Sequence, residues 1–440
     1  MIEKAAILDA IRQASISFGL NRFEVETTQR DLLAWLAQQQ DAVRLYWEDD
    51  KCTERVAGLG TAHDYRVELG DTWLDQMKLI EKQVRLYPTM RYFGGISFSN
   101  AYDCQSPSDQ LWEQFGGLRF VLPRFELGIK NERYYFAYNV LCQANETCEN
   151  VIDTFSQLID QLNWEVKSPS SLSMSVVGRQ DCPEQSKWEE VLAQVQQDFD
   201  QNRYEKVVLA RRSTFELSET VDPFLLLRGL KKSHSHTFNF GFQFEKGLAF
   251  VGTSPEYLFQ TKERQIRSVA VAGTTLQTQQ SALLENEKNR KEQRYVYDMI
   301  AAVLAQFCQN LNHTHDPFIL RYYNVSHLCH LLEGNLKEDV SVSDVLMALH
   351  PTPAVGGVEK ESALAAIQAY EPFQRGWYSG LVGVVGHESS CFAVAIRSLL
   401  VNKNYCHAFS GAGILKESRS DLEWDELELK IQNVKDYFHI

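Results

Sequence analysis

The chain has 440 residues, of which 44% are apolar and 23% charged. This is an ordinary globular balance that excludes a disordered or collagen-like chain and leaves room for one large domain or two to three smaller ones. Lysine and arginine total 44 against 58 aspartates and glutamates, a net charge of −14, so nucleic acid and anionic membranes are poor partners, and an anionic substrate needs locally concentrated positive charge or a metal.

The opening MIEKAAILDAIRQA sets Glu3 and Asp9 among apolar residues at helical spacing. It lacks the charged-then-apolar order of a signal peptide, and no run of about 20 apolar residues follows that would cross a membrane. Nine scattered cysteines without a C-x-x-C pair read as reduced thiols, so a cytoplasmic location is expected. Short strand-like runs then alternate with helical stretches: RLYWED, MRYFGGISFS, GLRFVLPRFELGI and RYYFAYNVL. VIDTFSQLIDQL (151–162) is apolar at helical spacing and closes a first region, residues 1–165. The polar KSPSSLSMSVVGRQDCPEQS reads as a linker or long surface loop.

A second region, residues 185–440, opens with a helix that carries Trp188, Val191, Leu192, Val195 and Phe199 on one face. KVVLARRSTFEL is a strand, TFNFGFQF and LAFVGTSPEYLF form a hairpin around EKG, and RQIRSVAVAGTT is another strand. One long helix spans ALLENEKNRKEQRYVYDMIAAVLAQFCQNL, and SDVLMALH is a second. WYSGLVGVVG and CFAVAIRSLLV are two further strands, and DLEWDELELKIQNVKDYF is a closing helix. Strands and helices come in blocks, which predicts an α+β fold with mostly antiparallel sheet.

Six positions carry chemistry, each with a plainer alternative. In KVVLARR, Lys206, Val208 and Ala210 share one strand face. A desolvated amine there has a lowered pKa and serves as a general base; a strand-end lysine reaching water fits the same spacing. Glu256 follows Thr253, Ser254 and Pro255, which interrupt a strand. In a pocket it would stay protonated and act as a general acid; at a turn it would be solvated. Glu292 shares the long helix's apolar face with Tyr295, Val296, Met299 and Val303, so it either needs a cation or proton or sits at the stripe's edge. Glu423 and Glu426, one turn apart, suit a hard cation, although Glu426 and Lys430 also make an ordinary i,i+4 ion pair. Arg397 ends an apolar strand, where it would clamp a carboxylate or face water. Gly411 and Gly413 allow backbone to approach a ligand. The histidine pairs His313/His315 and His327/His330 lack the partners of a zinc set.

Taken in order, KVVLARR, GTSPEYLF, AGTT, EKNRKEQ, VSHL, HPTPAVGG, EPFQRGWYSGLVG, AIRS, SGAGI and EWDELELK resemble the motif set of the chorismate-utilising enzymes, over about residues 185–438. The resemblance implies two large antiparallel sheets packed as a sandwich with helices outside. The site would lie between the sheets, in a catalytic region of residues 185–440 that follows a variable N-terminal region of residues 1–165. Ammonia-adding members carry glutamine where this chain has Lys206, which points to a water user with no glutaminase subunit. Salicylate synthases, the alternative activity, carry threonine at the position of Ala354. The resemblance is to isochorismate synthases, of the menaquinone type by chain length. It implies that Lys206 is the base and Glu256 the acid. Mg²⁺ would be held by Glu292 and Glu426 with Glu423 close by. Arg397 and Tyr378 would bind the enolpyruvyl carboxylate, and Lys430 with the backbone of Gly411 and Gly413 the ring carboxylate. Gly273 would line the pocket and His327 would lie near the ring.

Overall fold

A computed structural model describes residues 2–99, 109–165, 174–232, 236–276, 283–322 and 325–440. The strands among these residues, twenty in number, pair antiparallel throughout, in two sheets packed face to face. The first sheet runs, strand by strand, Gly19–Glu26, Arg133–Cys142, Leu118–Lys130, Glu54–Val67, Arg44–Glu48, Phe238–Glu245, Leu248–Ser254, Ser398–Asn402, Tyr405–Ile414 and Lys206–Leu217. The second runs Arg91–Ile96, Leu381–Gly386, Ser389–Val394, Tyr257–Lys262, Gln265–Leu276 and Val325–Leu336.

The two sheets are hydrogen-bonded into one array. Strand Leu118–Lys130 pairs with Arg91–Ile96 through residues 118–121 and with Arg133–Cys142 through residues 125–130. A β-bulge between Thr61 and His63 accompanies the bend in its neighbour Glu54–Val67, because an extra residue on one strand breaks the ladder and turns it.

Alternation in the sequence decides what lies between the sheets. Phe238, Phe240, Phe242 and Phe244 all point into the central layer with Trp112, Phe115, Phe250, Trp377 and Phe409. On the opposite face Gly241 leaves room for Phe224 and Leu227 of helix Pro223–Lys231. In strand Lys206–Leu217, Ala210 faces the central layer while Val207 and Leu209 pack against helices outside. Helix Glu287–Phe307 covers the second sheet through Val296, Ile300 and Leu304, and helices Ile2–Gln13, Cys148–Ile159 and Gln432–Phe438 cover the first.

Several predicted elements differ. CFAVAIRSLLV is two strands, Ser389–Val394 and Ser398–Asn402, that belong to different sheets. The closing helix breaks at Ile431 into Ser420–Lys430 and Gln432–Phe438. There the buried face passes from one apolar cluster, which takes Leu427, to another, which takes Ile431, Val434 and Phe438. The polar stretch after residue 165 contains a strand, Val176–Cys182, on the outer end of Lys206–Leu217; its residues 166–173 lie outside the described residues. The long helix stops at Phe307 and continues as edge strand Cys308–His313. Its buried stripe is Gln293, Val296, Ile300 and Leu304, one position round from the predicted one. Strand WYSGLVGVVG begins at Leu381.

A buried ion cluster ties the joining strands together. Glu126 is fully buried and accepts from Arg22 Nη1 at 2.7 Å, Asn139 Nδ2 at 2.9 Å and Arg91 Nη2 at 3.1 Å. Burial alone would push this carboxyl up, but the two guanidinium groups overrule it and hold it at about 2. Its contribution to stability is therefore present above the usual carboxylate range and lost as pH falls through about 2. Glu126→Ala removes the fully buried carboxylate that two cations share, leaving Arg22 with Glu24 and Arg91 with Glu54. It is expected to cost about 3–5 kcal/mol at neutral pH, seen as a lowered urea midpoint, with the difference from wild type shrinking in acid.

Candidate active site

The site is made where the chain changes sheets. It leaves the first sheet after Ser254 and enters the second at Tyr257; it leaves the second after Val394 and re-enters the first at Ser398. The two corners lie side by side: Thr253 N donates to Arg397 O at 3.1 Å, and Val394 N donates to Glu256 O at 3.0 Å. Ser254 Oγ donates to Val394 O at 2.7 Å and accepts from Glu256 N at 3.2 Å. Pro255 has no N–H to offer a ladder, and Arg397 takes a left-handed backbone with φ +52°. That conformation is uncommon for a side-chain-bearing residue and is concentrated at functional positions. Glu256 and Arg397 thus both enter a cleft between the sheets from adjacent corners.

The wall beside them is strand Lys206–Leu217, with Lys206 and Val208 facing the cleft. Lys206 is only 2% exposed. The next strand, Tyr405–Ile414, sets Gly413 opposite Val208 and Gly411 opposite Ala210. A methyl group on Gly413 would stand 2.6 Å from Glu292 Oε1 and 3.0 Å from Lys206 Cε, so only glycine lets the amine and carboxylate approach over this strand. Gly273 sits at a bulge with φ +70°, where a Cβ would meet the Asn289 carbonyl of the long helix at 2.8 Å. Helix Glu287–Phe307 delivers Glu292, and helix Ser420–Lys430 delivers Glu426 and Lys430. Lys430 Nζ donates to Gly411 O at 2.6 Å and pairs with Glu426 Oε1 at 2.7 Å.

Tyr378, His327, Ala354 and Gly273 line the same cleft. Glu423 does not. It is buried behind the cleft and paired with Lys288 at 2.5 Å. Lys288 carries no signal in the sequence, although it lies one helical turn before Glu292; its partner is 135 residues away in the chain, a contact that no local spacing announces. Ser379, Ser410, Val271 and Phe409 also line the cleft. Ser379 has a faint signal, a polar residue between Tyr378 and Gly380 at a strand entrance, and its φ is +59°.

Burial sets the protonation states. Desolvation pushes the Lys206 amine down, against the nearby carboxylate of Glu292. Desolvation likewise pushes Glu256 up to about 7, against the pull of Lys206 and Arg397. The cleft therefore favours an uncharged amine and an uncharged carboxyl close enough to sense one another. His327 is pushed down to about 3, first by burial and then by Arg397 and Lys430, and so is neutral. Burial raises Glu292, helped by the Glu426 charge. Burial also raises Glu423, again helped by Glu426. Glu426 is held down, the Lys430 ammonium outweighing burial.

Three carboxylates that repel one another beside a cleft are hard oxygen donors of the kind Mg²⁺ takes. Among the described residues no closed cage of three or more His, Cys, Asp or Glu side chains is present. The arrangement fits an ion that uses one or two carboxylates and leaves its other positions to water and ligand.

Among the described residues no helix is long and apolar enough to cross a membrane. The family profile described as "chorismate binding enzyme" matches residues 7–438. The chain is 32% identical to the isochorismate synthase MenF of Pasteurella multocida, covering 92% of this chain and 89% of that protein. It is 29% identical to a chloroplastic isochorismate synthase of Catharanthus roseus, covering 87% and 68%. In fold it is similar to the menaquinone-specific isochorismate synthase MenF of Escherichia coli (TM-score 0.87, 23% identity, 99% of both chains). It is also similar to anthranilate synthase component I of Streptococcus pneumoniae (TM-score 0.61, 17% identity, 97% of this chain and 93% of that chain). The match over nearly the whole length, and the cleft it encloses, make this chain a member of the chorismate-binding enzyme family.

Proposed function

We propose that this chain is an isochorismate synthase, an isomerase that converts chorismate reversibly to isochorismate. One observation carries the reading: Lys206 and Glu256 face a single cleft, with burial pushing both the amine and the carboxyl toward their uncharged forms. Neutral Lys206 takes a proton from water as that water attacks ring carbon 2. The ring double bonds shift, and protonated Glu256 gives its proton to the hydroxyl leaving carbon 4. A base and an acid coexist in one site only when their surroundings push the two pKa values the unusual way.

The substrate is a dianion, and Arg397 and Lys430 bring positive charge into the cleft. Arg397 and Tyr378 hold the enolpyruvyl carboxylate, and Lys430 with the backbone of Gly411 and Gly413 receives the ring carboxylate. Gly273 and neutral His327 border the ring. Mg²⁺ held by Glu292 and Glu426, with Glu423 close by through water, would supply further positive charge for the ring carboxylate. Two features favour isomerisation over amination or pyruvate loss: Lys206 stands where ammonia users carry glutamine, and Ala354 lines the cleft where salicylate synthases carry threonine. Water as the nucleophile needs no glutaminase subunit. The MenF relatives support a role in menaquinone synthesis, and the free thiols support a reducing, cytoplasmic setting.

Lys206→Ala is expected to slow chorismate turnover by about 10²–10⁴-fold with no change in the thermal midpoint. Wild-type turnover by this variant would reject the base. Because the acid works only while protonated, kcat/KM falls as pH rises through about 7. The same limb lies higher in kcat, since the bound dianion disfavours the Glu256 carboxylate. Glu256→Gln removes the limb along with most of the rate. Chelation with EDTA is expected to abolish turnover, and Mg²⁺ to restore it, with an unchanged circular dichroism spectrum in both states. Isochorismate without stoichiometric pyruvate is the expected product; pyruvate equal to chorismate consumed would establish a salicylate synthase.

A further inference from the structure

The Lys206 strand has a gap in its ladder. One edge is paired along its length with Tyr405–Ile414. On the other edge, the short strand Gly357–Val358 covers only Lys206 and Val207, and Val176–Cys182 covers only residues 212–217. Between them, the backbone groups of Val208 and Ala210 face an opening inside the protein, where unpaired N–H and C=O groups are costly.

That opening is closed by two side chains and the Gly356 carbonyl. Glu371 Oε1 accepts from Ala210 N at 2.7 Å. Arg375 Nη2 donates to Val208 O at 2.7 Å. Gly356 O accepts from Val208 N at 2.8 Å. Glu371 and Arg375 are bonded to each other, Arg375 Nε to Glu371 Oε2 at 2.8 Å, and their side chains are 4% and 3% exposed. The second arm of the guanidinium, Nη1, donates to Val355 O at 2.9 Å. Val208 and Val355 both line the cleft. The Arg375 plane lies over the Phe98 ring at 4.3 Å, and Arg375 O accepts from Tyr378 N at 3.0 Å.

We propose that Glu371 and Arg375 are positioning residues for Lys206: as a paired unit they replace the missing stretch of strand and fix the height at which the amine stands in the cleft. This rests on the reading of Lys206 as the base. The chemistry needs both members. A carboxylate offers only acceptors and a guanidinium only donors, and an antiparallel edge presents one of each in alternation. The planar fork lets Arg375 bridge two walls, the Val208 carbonyl and the Val355 carbonyl, while bound to Glu371. A lysine at 375 would keep the charge and lose the bridge.

The test is a double-mutant cycle on chorismate turnover. Arg375→Lys is expected to lower kcat by about 10- to 100-fold, the scale of a small misplacement of a reacting group, and to speed amide exchange at Ala210. Combined with Lys206→Ala, the same substitution is expected to lower the remaining rate by less than about 3-fold, because the side chain being positioned is gone. If Arg375→Lys fails to fold, Glu371→Gln, which keeps an acceptor for Ala210 N, carries the same cycle. Equal fold-losses with and without the Lys206 amine would overturn the proposal and leave a general structural role, as would a wild-type rate in Arg375→Lys. Wild-type turnover by Lys206→Ala would instead overturn the base assignment, and the positioning role with it.

Discussion

An amine can act as base and a carboxyl as acid on one small substrate only if both start uncharged, and water is what normally prevents this. The proposed reaction depends on removing water from around Lys206 and Glu256, which are 2% and 6% exposed. The central layer is rich in phenylalanine and tryptophan, and this packing keeps bulk water away from the polar groups of the cleft. The same dryness that pushes Lys206 down and Glu256 up makes Arg397 and Lys430 stronger partners for an anion than they would be at a surface. The overall charge of −14 then matters little, because the field inside the cleft is set by a handful of nearby groups.

The sandwich also explains how an opening can exist in so tightly packed a layer. Sheets that merely stack would press their inner faces together along their length. Here two strands cross from one sheet to the other at neighbouring points, and a corner cannot fill space as a ladder does. Ser254 and the Arg397 backbone knit these corners to each other, so Glu256 and Arg397 are set by one shared piece of scaffold. Lys206 comes from a different strand, and Gly413 of Tyr405–Ile414 sets how closely it approaches Glu292 of the long helix.

Much of this was legible in the residues and some was not. The strand around Lys206 and its grouping with Val208 on one face were legible, although whether that face was the inner one stayed open; the structure turns Lys206 and Val208 to the cleft. The break inside CFAVAIRSLLV was not legible. Nearly every residue there is buried on both sides, so no polar alternation marks a corner, and neither glycine nor proline occurs to signal it. The left-handed backbone falls on an arginine, a residue type that gives no local warning. The break at Ile431 was hidden for a similar reason, since the apolar spacing runs through it unbroken. The edge strand Cys308–His313 is mostly polar and looked like a helix tail. Glu423 read as a companion of Glu426 along one helix, whereas its position is decided by Lys288 from another helix.

Strand Arg44–Glu48 lies inside the first sheet, with Glu54–Val67 on one side and Phe238–Glu245 on the other. Its second neighbour is therefore made by the ribosome almost two hundred residues after it. Until then the nascent N-terminal region has a bare apolar edge where a stranger's strand could add. Formation of the sandwich must wait for distant pairings, which slows folding and lengthens the exposure. The chain thus depends for its solubility, while it is being synthesised, on a stretch of sequence that has yet to emerge.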